Sequence, residues 1–169
     1  MVVNHNARVI IRKAHPNDLR QIEALAKKVF RDSPDAYWAV VGAKRAQRTF
    51  VAEINNRIIG VIEVEVINLS TGKHGHIGYI FVDPDFQRRG IGTKLLITAE
   101  KFFLEKKASS AWALTTPENI AAQRLFEKNG YEKISLAYLY KVLPENDVQK
   151  LLRRMVYWEG DIIYHKKLY

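Results

Sequence analysis

The sequence predicts an α/β protein whose mixed sheet of six to seven strands is flanked by helices. Apolar residues recur at helical spacing in some segments and run or alternate as in strands in others. Two strand-like runs flank Asn55-Asn56, which indicates an antiparallel hairpin, whereas the later strand–helix–strand segments require parallel neighbours. No repeat or Pro/Gly-rich linker interrupts the 169 residues, so we expect one domain over residues 1–169.

The first part of the chain is predicted to contain a strand, two helices and the hairpin. The strand covers residues 7–14, and the hairpin covers residues 49–67. The first helix carries an apolar stripe made of Leu19, Ile22, Leu25, Ala26, Val29 and Phe30. The second helix is predicted to begin with Ser33 as its N-cap and Pro34 at its first position, because a serine oxygen accepts from helix amides and proline has no amide to satisfy.

The second part of the chain is predicted to alternate strands with helices. The predicted strands are residues 76–82, 111–116, 131–143 and 161–169. The predicted helices are residues 92–107, 117–129 and 144–157. Gly130 suits the left-handed conformation that often ends a helix. The helix at 144–157 stands before the last strand, and its apolar face could cover the sheet, wall an acceptor pocket or form a dimer contact.

Composition and charge limit the classes of function. The net charge of +9 favours anionic partners, but the chain has no long basic block and no nucleic-acid-binding motif, so we expect no nucleic-acid partner. No apolar run approaches the ~20 residues that cross a bilayer, and the N-terminal stretch lacks a signal peptide's apolar core, so we expect a cytoplasmic protein without membrane contact. The absence of cysteine excludes disulfides, thiolate metal sites and a cysteine nucleophile.

The segment VDPDFQRRGIGTKLL, residues 82–96, predicts an anion site between a strand and a helix. The first amides of a helix have no intrahelical acceptor and carry partial positive charge. Gly90 and Gly92 remove Cβ atoms that would keep an anion from the backbone, and Arg88 and Arg89 add charge. Neither a dinucleotide fingerprint nor a Walker loop fits the spacing. A tight turn without a ligand is the alternative.

Two motifs resemble those of the GNAT acetyltransferase superfamily. The segment QRRGIG, Gln87–Gly92, resembles the signature Gln/Arg-x-x-Gly-x-Gly/Ala, and it also stands between a strand and a long helix. The segment NIAAQRLFEKNGY, Asn119–Tyr131, resembles the second signature, Asn-x-x-Ala-x-x-Leu-Tyr-Glu-Lys-x-Gly-Phe. The order of elements from Arg8 to Tyr169 is also similar to that of the superfamily, so the resemblance implies a GNAT-type sheet. The helix predicted at 144–157 is an extra helix before the last strand, where the superfamily usually has a modest loop.

The resemblance implies acetyl-CoA as the acetyl donor. Its pyrophosphate would lie on the amides from Arg88 to Thr93, its pantetheine would pair with the strand at Phe81 and Val82, and Asn119 and Phe126 would line the other side. The implied cofactor-binding residues are Phe81, Val82, Gln87, Arg88, Arg89, Gly90, Ile91, Gly92, Thr93, Asn119 and Phe126.

Acetyl transfer to an amine requires that the amine lose a proton. The resemblance places His76 where histone-acetylating members carry a glutamate base, and a neutral imidazole can act as a base near pH 7. Glu63 and Glu65 are reserve candidates that could act through water. A histidine that only caps or solvates the strand is the alternative. A metal site at His74-x-His76 lacks a third ligand, so we expect no metal.

The acid and the acceptor site depart from the superfamily pattern. Members that protonate the thiolate with tyrosine carry it where this chain has Phe126, so the thiolate would leave unaided or take a proton from another group or water. Protein N-terminal acetyltransferases carry a tyrosine pair near the spacing of Tyr140, so Tyr138 and Tyr140 are predicted to serve the acceptor site. Two aromatic side chains that only pack on alternate strand positions are the alternative.

Two functions remain open from the sequence. The first is an N-acetyltransferase that moves acetyl directly from acetyl-CoA to a primary amine, because no cysteine exists for a covalent intermediate. The amine would belong to a protein N-terminus, which we place first, a lysine or a small molecule, and the chain could form a homodimer. The second is a catalytically silent acyl-CoA-binding sensor or scaffold, which Phe126 and the missing glutamate favour.

Overall fold

The central hairpin forms as predicted. Asn55 and Asn56 turn the chain with φ angles of 49° and 62°, the left-handed region that asparagine tolerates better than most residues. The computed structural model describes residues 7–169. The first part of the N-terminal stretch considered for a signal peptide, residues 1–6, lies outside the described residues.

Seven strands form one mixed sheet, as the sequence predicts. The strands are β1 (Ile10–Lys13), β2 (Arg48–Ile54), β3 (Arg57–Leu69), β4 (Gly72–Val82), β5 (Ser110–Thr115), β6 (Glu132–Ile134) and β7 (Ile162–Lys167). Their spatial order is β1-β2-β3-β4-β5-β7-β6. β4 and β5 are parallel and pair Gly75–Ile77 with Ala111–Ala113. β1 pairs antiparallel with β2, and β7 pairs antiparallel with both β5 and β6.

Six α-helices accompany the sheet in the described part of the chain. They are α1 (Leu19–Phe30), α2 (Asp35–Arg45), α3 (Ile91–Glu105), α4 (Ile120–Lys128), α5 (Leu136–Val142) and α6 (Glu145–Met155). The extra helix predicted before the last strand is confirmed as α6. Among residues 7–169, no helix combines the length and the apolar character that crossing a bilayer requires.

By its contacts the chain divides into two units. The first comprises the described residues up to Glu63 together with Tyr79–Thr98, and the second comprises Val64–Gly78 and Ala99–Tyr169. The single domain expected over residues 1–169 stays a prediction.

The first unit packs helices α1 and α2 onto strands of the sheet. Its buried apolar cluster contains Ile22, Leu25, Ala26, Ala39, Val51, Ile58, Val61 and Phe81. The N-terminal half of α3 also lies close to the sheet, because a Cβ at Gly60 would come within 3.1 Å of Leu95 and 3.3 Å of Ile91. This close approach fixes the start of α3 relative to β3.

The second unit has a separate apolar cluster under α5 and α6. The cluster contains Ile67, Leu69, Trp112, Leu139, Val148, Leu151, Met155 and Ile163. The C-terminal half of α3 rests on β4, since a Cβ at Gly75 would overlap the ring of Phe103. The apolar side chains of α3 are buried along both halves of the helix, namely those of Ile91, Leu95, Leu96, Ala99, Phe102 and Phe103.

The strand predicted over residues 131–143 is wrong. Only Glu132–Ile134 forms a strand, and α5 follows it directly. Ser135 causes the change, because its hydroxyl accepts from the amide of Tyr138 at 3.1 Å and so caps the new helix. Leu139, fully buried, anchors that helix on the core. The sequence of this segment had indicated a strand, but it did not decide the backbone conformation.

Smaller differences concern helix starts. Pro34 stands at the N-cap of α2 rather than at its first helical position, and Ser33 accepts from the amide of Asp35 at 3.2 Å. α4 begins at Ile120, with Asn119 as its N-cap, rather than at residue 117. Gly130 follows α4 with a φ of 87°, as predicted for a residue that ends a helix.

Candidate functional site

The turn between β4 and α3 has the backbone form that an anion site needs. Gly90 has a φ of 76° and Arg88 a φ of 63°, so the chain turns sharply before the helix. The amide of Lys94 donates to the carbonyl of Gly90 at 3.0 Å, which is the first backbone bond of the helix. The amides before Lys94 therefore lie at the positive end of α3.

The side chains of this turn are arranged around its backbone. The amide group of Gln87 donates to the carbonyl of Val82 at 3.4 Å, and the guanidinium of Arg89 lies 5.1 Å from the centre of the Phe86 ring. Arg88 and Gly90 are exposed. The remaining predicted cofactor residues of this unit are Phe81 (buried, on β4), Val82 (half-buried, at the end of β4), Ile91 (buried), Gly92 and Thr93 (both half-buried), the last three on the first turn of α3.

Asp83 holds this turn in place, although the sequence alone indicates no role for it. Its carboxylate contacts Lys28 and Arg57, each at 2.8 Å, and accepts from the amide of Asp85 at 2.9 Å. Burial raises the pKa of Asp83, but the hydrogen bonds from Lys28 and the amide of Asp85 lower it more, so the pKa lies below its ordinary value. Asp83 is therefore ionised at neutral pH and ties the end of β4 to α1 and β3.

Glu63 is a buried carboxyl with one unsatisfied oxygen. The residue is 3% exposed, and its Oε2 has no hydrogen-bond partner among the described residues. A Cβ at Gly42 of α2 would overlap its Oε1, so the carboxyl fits only because that residue is glycine. Burial raises the pKa of Glu63 to about 9, against a weaker lowering by the amide of Tyr79. Glu63 is thus protonated at neutral pH, which makes it a poor base.

We expect the free energy of unfolding to fall with rising pH because of Glu63. Its pKa is about 9 in the folded protein and 4.5 for an ordinary glutamate. The contribution of Glu63 to the free energy of unfolding is therefore fully present below pH 4.5 and declines as the pH rises toward 9. Glu63→Gln, which stays neutral, should remove a decline of about 1 kcal/mol per pH unit. Urea unfolding between pH 5 and 8 measures this slope.

The exposed Glu159→Gln is the control for that measurement, and it should leave the slope unchanged. An unaltered slope in Glu63→Gln would show that Glu63 is ionised in the folded protein.

In the second unit, His76 is paired with a carboxylate. His76 lies on β4 and is 8% exposed, and its Nδ1 is 3.1 Å from Oε1 of Glu65 on β3. The other oxygen of Glu65 accepts from Arg154 of α6. Burial raises the pKa of Glu65, but its hydrogen bonds with His76 and Arg154 lower it more, so the carboxyl is ionised at neutral pH. A histidine that only caps or solvates the strand does not fit these contacts.

His74 serves a different purpose from His76. Its Nε2 is 2.9 Å from Oγ1 of Thr71, and its Nδ1 is 2.7 Å from Oγ of Ser110. The indole of Trp112 also donates to Nδ1 at 3.3 Å, and burial lowers the pKa of His74. His74 is therefore a neutral, hydrogen-bonded core residue. Within residues 7–169, no group of three or more His, Cys, Asp or Glu side chains is placed to hold a metal ion.

The second signature forms α4 and its ends. The carboxamide oxygen of Asn119 accepts from the amide of Ala122 at 3.1 Å and so caps the helix. Phe126 is 2% exposed, and its ring packs 5.4 Å from that of Tyr131 and 5.3 Å from that of Tyr164. This position makes Phe126 a core residue, and its predicted contact with a cofactor stays a prediction.

Tyr138 and Tyr140 lie on α5 rather than on a strand. They are 51% and 45% exposed, so neither packs into the core. The alternative that they pack on alternate strand positions is therefore wrong. Their predicted role as residues of an acceptor site stays a prediction.

Comparisons with known proteins show which family the chain belongs to. The family model described as "Acetyltransferase (GNAT) family" matches residues 17–131. The chain is 29% identical over 137 residues to N-alpha-acetyltransferase 30 of Dictyostelium discoideum, which covers 78% of this chain and 74% of that protein.

Two solved structures have a similar fold. The PaiA N-acetyltransferase of Thermoplasma acidophilum in complex with coenzyme A has a TM-score of 0.69 at 18% identity, over 95% of this chain and 99% of that chain. A chain of the NatC complex bound to Gag peptide and CoA has a TM-score of 0.70 at 18% identity, over 96% of this chain and 99% of that chain. At these identities the likeness concerns the fold alone.

The matched residues 17–131 make up more than half of the chain. They include the turn at Gly90, the His76–Glu65 pair and helix α4, which Asn119 caps. Acetyl-CoA is the donor substrate in this family of acyltransferases. The chain belongs to the acetyltransferase (GNAT) family.

Proposed function

We propose that the protein is an acetyl-CoA-dependent N-acetyltransferase that moves acetyl directly to a primary amine. The observation that carries the proposal is the pair of His76 and Glu65, because a buried histidine bonded to a carboxylate is an arrangement suited to proton removal. A protein that only bound coenzyme A would not require this pair.

The turn before α3 is proposed to bind the donor. A Cβ at Gly90 would meet no protein atom within 4 Å, so the backbone is open to an anion at that point. The amides from Arg88 to Thr93 would hold the pyrophosphate, with Gln87, Arg88 and Arg89 assisting. Phe81 and Val82 would pair with the pantetheine, since β4 continues to Val82 beyond the residues in register with β5. Asn119 is a further proposed contact, whereas Phe126 would support α4 from the core.

His76 is proposed to take a proton from the acceptor amine. The neutral amine nitrogen then attacks the thioester carbonyl carbon, and the carbon–sulfur bond breaks as the amide bond forms. The second proton of the nitrogen leaves to water when the amide is formed. The carboxylate of Glu65 stabilises the imidazolium that His76 becomes. Phe126 has no proton to give, so the thiolate leaves unaided or takes a proton from water. Direct transfer is consistent with the absence of cysteine from the chain.

The acceptor is proposed to be a protein N-terminus, ahead of a lysine or a small amine. The relative from Dictyostelium discoideum is named an N-alpha-acetyltransferase, and the NatC structure holds a Gag peptide. The exposed Tyr138 and Tyr140 are the residues proposed to contact the acceptor. A cytoplasmic location and a homodimer belong to the same proposal and rest on the sequence alone.

Release of free thiol from acetyl-CoA tests the proposal. The acceptors are short peptides with a free N-terminus, the same peptides with a blocked N-terminus and an internal lysine, and a small polyamine. We expect turnover with the first set. Turnover only with the blocked peptides or the polyamine would change the acceptor class.

A catalytically silent acyl-CoA sensor or scaffold is the second candidate function. The observation that favours it is Phe126, which replaces a tyrosine that could protonate the thiolate. Binding of acetyl-CoA without thiol release across the whole set of acceptors would support this function against transfer.

A further inference from the structure

Helix α6 is bonded along the backbone of β3 and the turn after it. The carboxylate of Asp147 accepts from the amide of Ser70 at 2.9 Å and from its hydroxyl at 2.6 Å. The ammonium of Lys150 donates to the carbonyl of Asn68 at 2.5 Å. Asp147, Lys150 and Arg154 follow one another at helical spacing, so they share one face of α6. Arg154 is the last of the three, and its partner lies further back along β3.

That partner is Glu65, whose two carboxylate oxygens contact two different residues. One carboxylate oxygen accepts from Arg154, and the other is 3.1 Å from Nδ1 of His76. An ionised carboxylate can only accept, so Nδ1 of His76 carries the hydrogen. A neutral His76 in this tautomer has its lone pair on Nε2, and Nε2 is then the nitrogen that can take a proton.

We propose that α6 is a positioning element for acetyl transfer, in which Arg154 orients Glu65 and Glu65 keeps His76 in the tautomer with a basic Nε2. The inference rests on the proposed role of His76 as the base. Arg154 and Glu65 act through His76, so both are positioning residues. The helix that departs from the superfamily pattern thus gains a function in the proposed site of transfer.

Several other groups surround His76. His74 lies two positions earlier on the same face of β4 and is neutral. The register partner of His76 on β5 is Trp112, which carries no charge. The ring of His165 from β7 packs against Trp112 with 4.2 Å between the ring centres. Among residues 7–169, the charged side chain that bonds to His76 is therefore Glu65, and Arg154 acts on His76 through Glu65.

The first experiment follows the histidine signals of the full chain, labelled with nitrogen-15, by NMR from pH 5 to 9. The His76 signals are assigned by their loss in His76→Gln. In the wild type we expect the Nδ1–H tautomer at high pH. Glu65→Gln should reduce the share of the Nδ1–H tautomer, because a carboxamide can donate as well as accept, and Arg154→Met should reduce it less.

Matched variants separate position from charge. Arg154→Lys keeps the charge and should restore most of the wild-type tautomer population. Arg153→Met removes an exposed arginine from the same turn of α6 and should leave the tautomer population unchanged. Urea unfolding of each variant shows that the protein is still folded. A wild-type His76 with its hydrogen on Nε2, or an unchanged tautomer population in folded Arg154→Met, would overturn the positioning role.

A second experiment links the positioning to catalysis and distinguishes the two proposals. The value of kcat/KM, measured with whichever acceptor gives thiol release, should fall in Glu65→Gln and Arg154→Met as the Nδ1–H tautomer is lost. If His76→Gln keeps full turnover, the proposed base is wrong whatever the NMR result. If His76→Gln loses turnover but Glu65→Gln and Arg154→Met keep the wild-type kcat/KM and tautomer, the base stands and the positioning role fails.

Discussion

Replacing Gly90 with valine is expected to weaken acetyl-CoA binding ~100-fold or more while leaving the protein folded. Gly90 has a φ of 76°, and a Cβ there would meet no protein atom within 4 Å. The substitution therefore overlaps nothing in the protein itself, and its strain costs about 1–2 kcal/mol. The new side chain would instead occupy the space from which an anion approaches the backbone at the start of α3.

Gly160→Val is the matched control for this change. Gly160 has a φ of 95°, and a Cβ at this position also meets nothing within 4 Å, so the two substitutions impose the same kind of strain. Thermal unfolding should show a similar loss of stability in both variants. Calorimetric titration with acetyl-CoA should show the loss of affinity in Gly90→Val alone. Wild-type affinity in a folded Gly90→Val would show that this turn does not hold the pyrophosphate.

The sequence is informative where structure is set locally. Asn55 and Asn56 tolerate a positive φ, and Gly90 allows the turn before α3, so both turns follow from the residues themselves. The apolar stripe of α3 also predicts its own burial, because a period of 3.6 residues selects one face of a helix.

The segment after Tyr131 shows where local patterns fail. Leu136, Tyr138, Tyr140 and Val142 alternate as in a strand, yet they belong to α5. The hydroxyl of Ser135 caps the helix, and β7 pairs with only Glu132–Ile134 of this segment. The helix cap at Ser135 and the short pairing with β7 decide the conformation of this segment. The spacing of apolar residues contains no information about either of them. The exposure of Tyr138 and Tyr140 follows from the helix rather than from the sequence pattern.

The residues of the candidate site also fall into two groups: those that the sequence identifies and those whose roles depend on contacts between distant parts of the chain. The resemblance to the superfamily points to His76, because this residue stands where histone-acetylating members carry a glutamate base. The roles of Glu65 and Arg154 depend on α6 lying along β3, a contact between residues far apart in the chain. Glu63 has a pKa of about 9 because α2 covers it at Gly42, which is also a distant contact. For Arg154, the only sequence signal is its helical spacing from Asp147.

His76→Gln is expected to lower kcat by ~10²-fold or more while the affinity for acetyl-CoA stays at the wild-type value. Glutamine can replace the hydrogen bond that Nδ1 makes with Glu65, but it has no lone pair that takes a proton at neutral pH. The acceptor amine would then lose its proton only to water. Because the proposed donor site is formed by the backbone around Gly90, the substitution should not weaken acetyl-CoA binding.

His74→Gln is the control for this variant, since His74 lies on the same face of β4 and is also buried. Its hydrogen bonds to Thr71 and Ser110 are structural, so its loss should lower the stability but keep kcat. The two histidines therefore separate a catalytic effect from a folding effect on one strand. Thiol release under saturating acetyl-CoA and acceptor measures kcat, and calorimetry measures the affinity. A wild-type kcat in His76→Gln would mean that the acceptor amine reaches the site already neutral and needs no base from the protein.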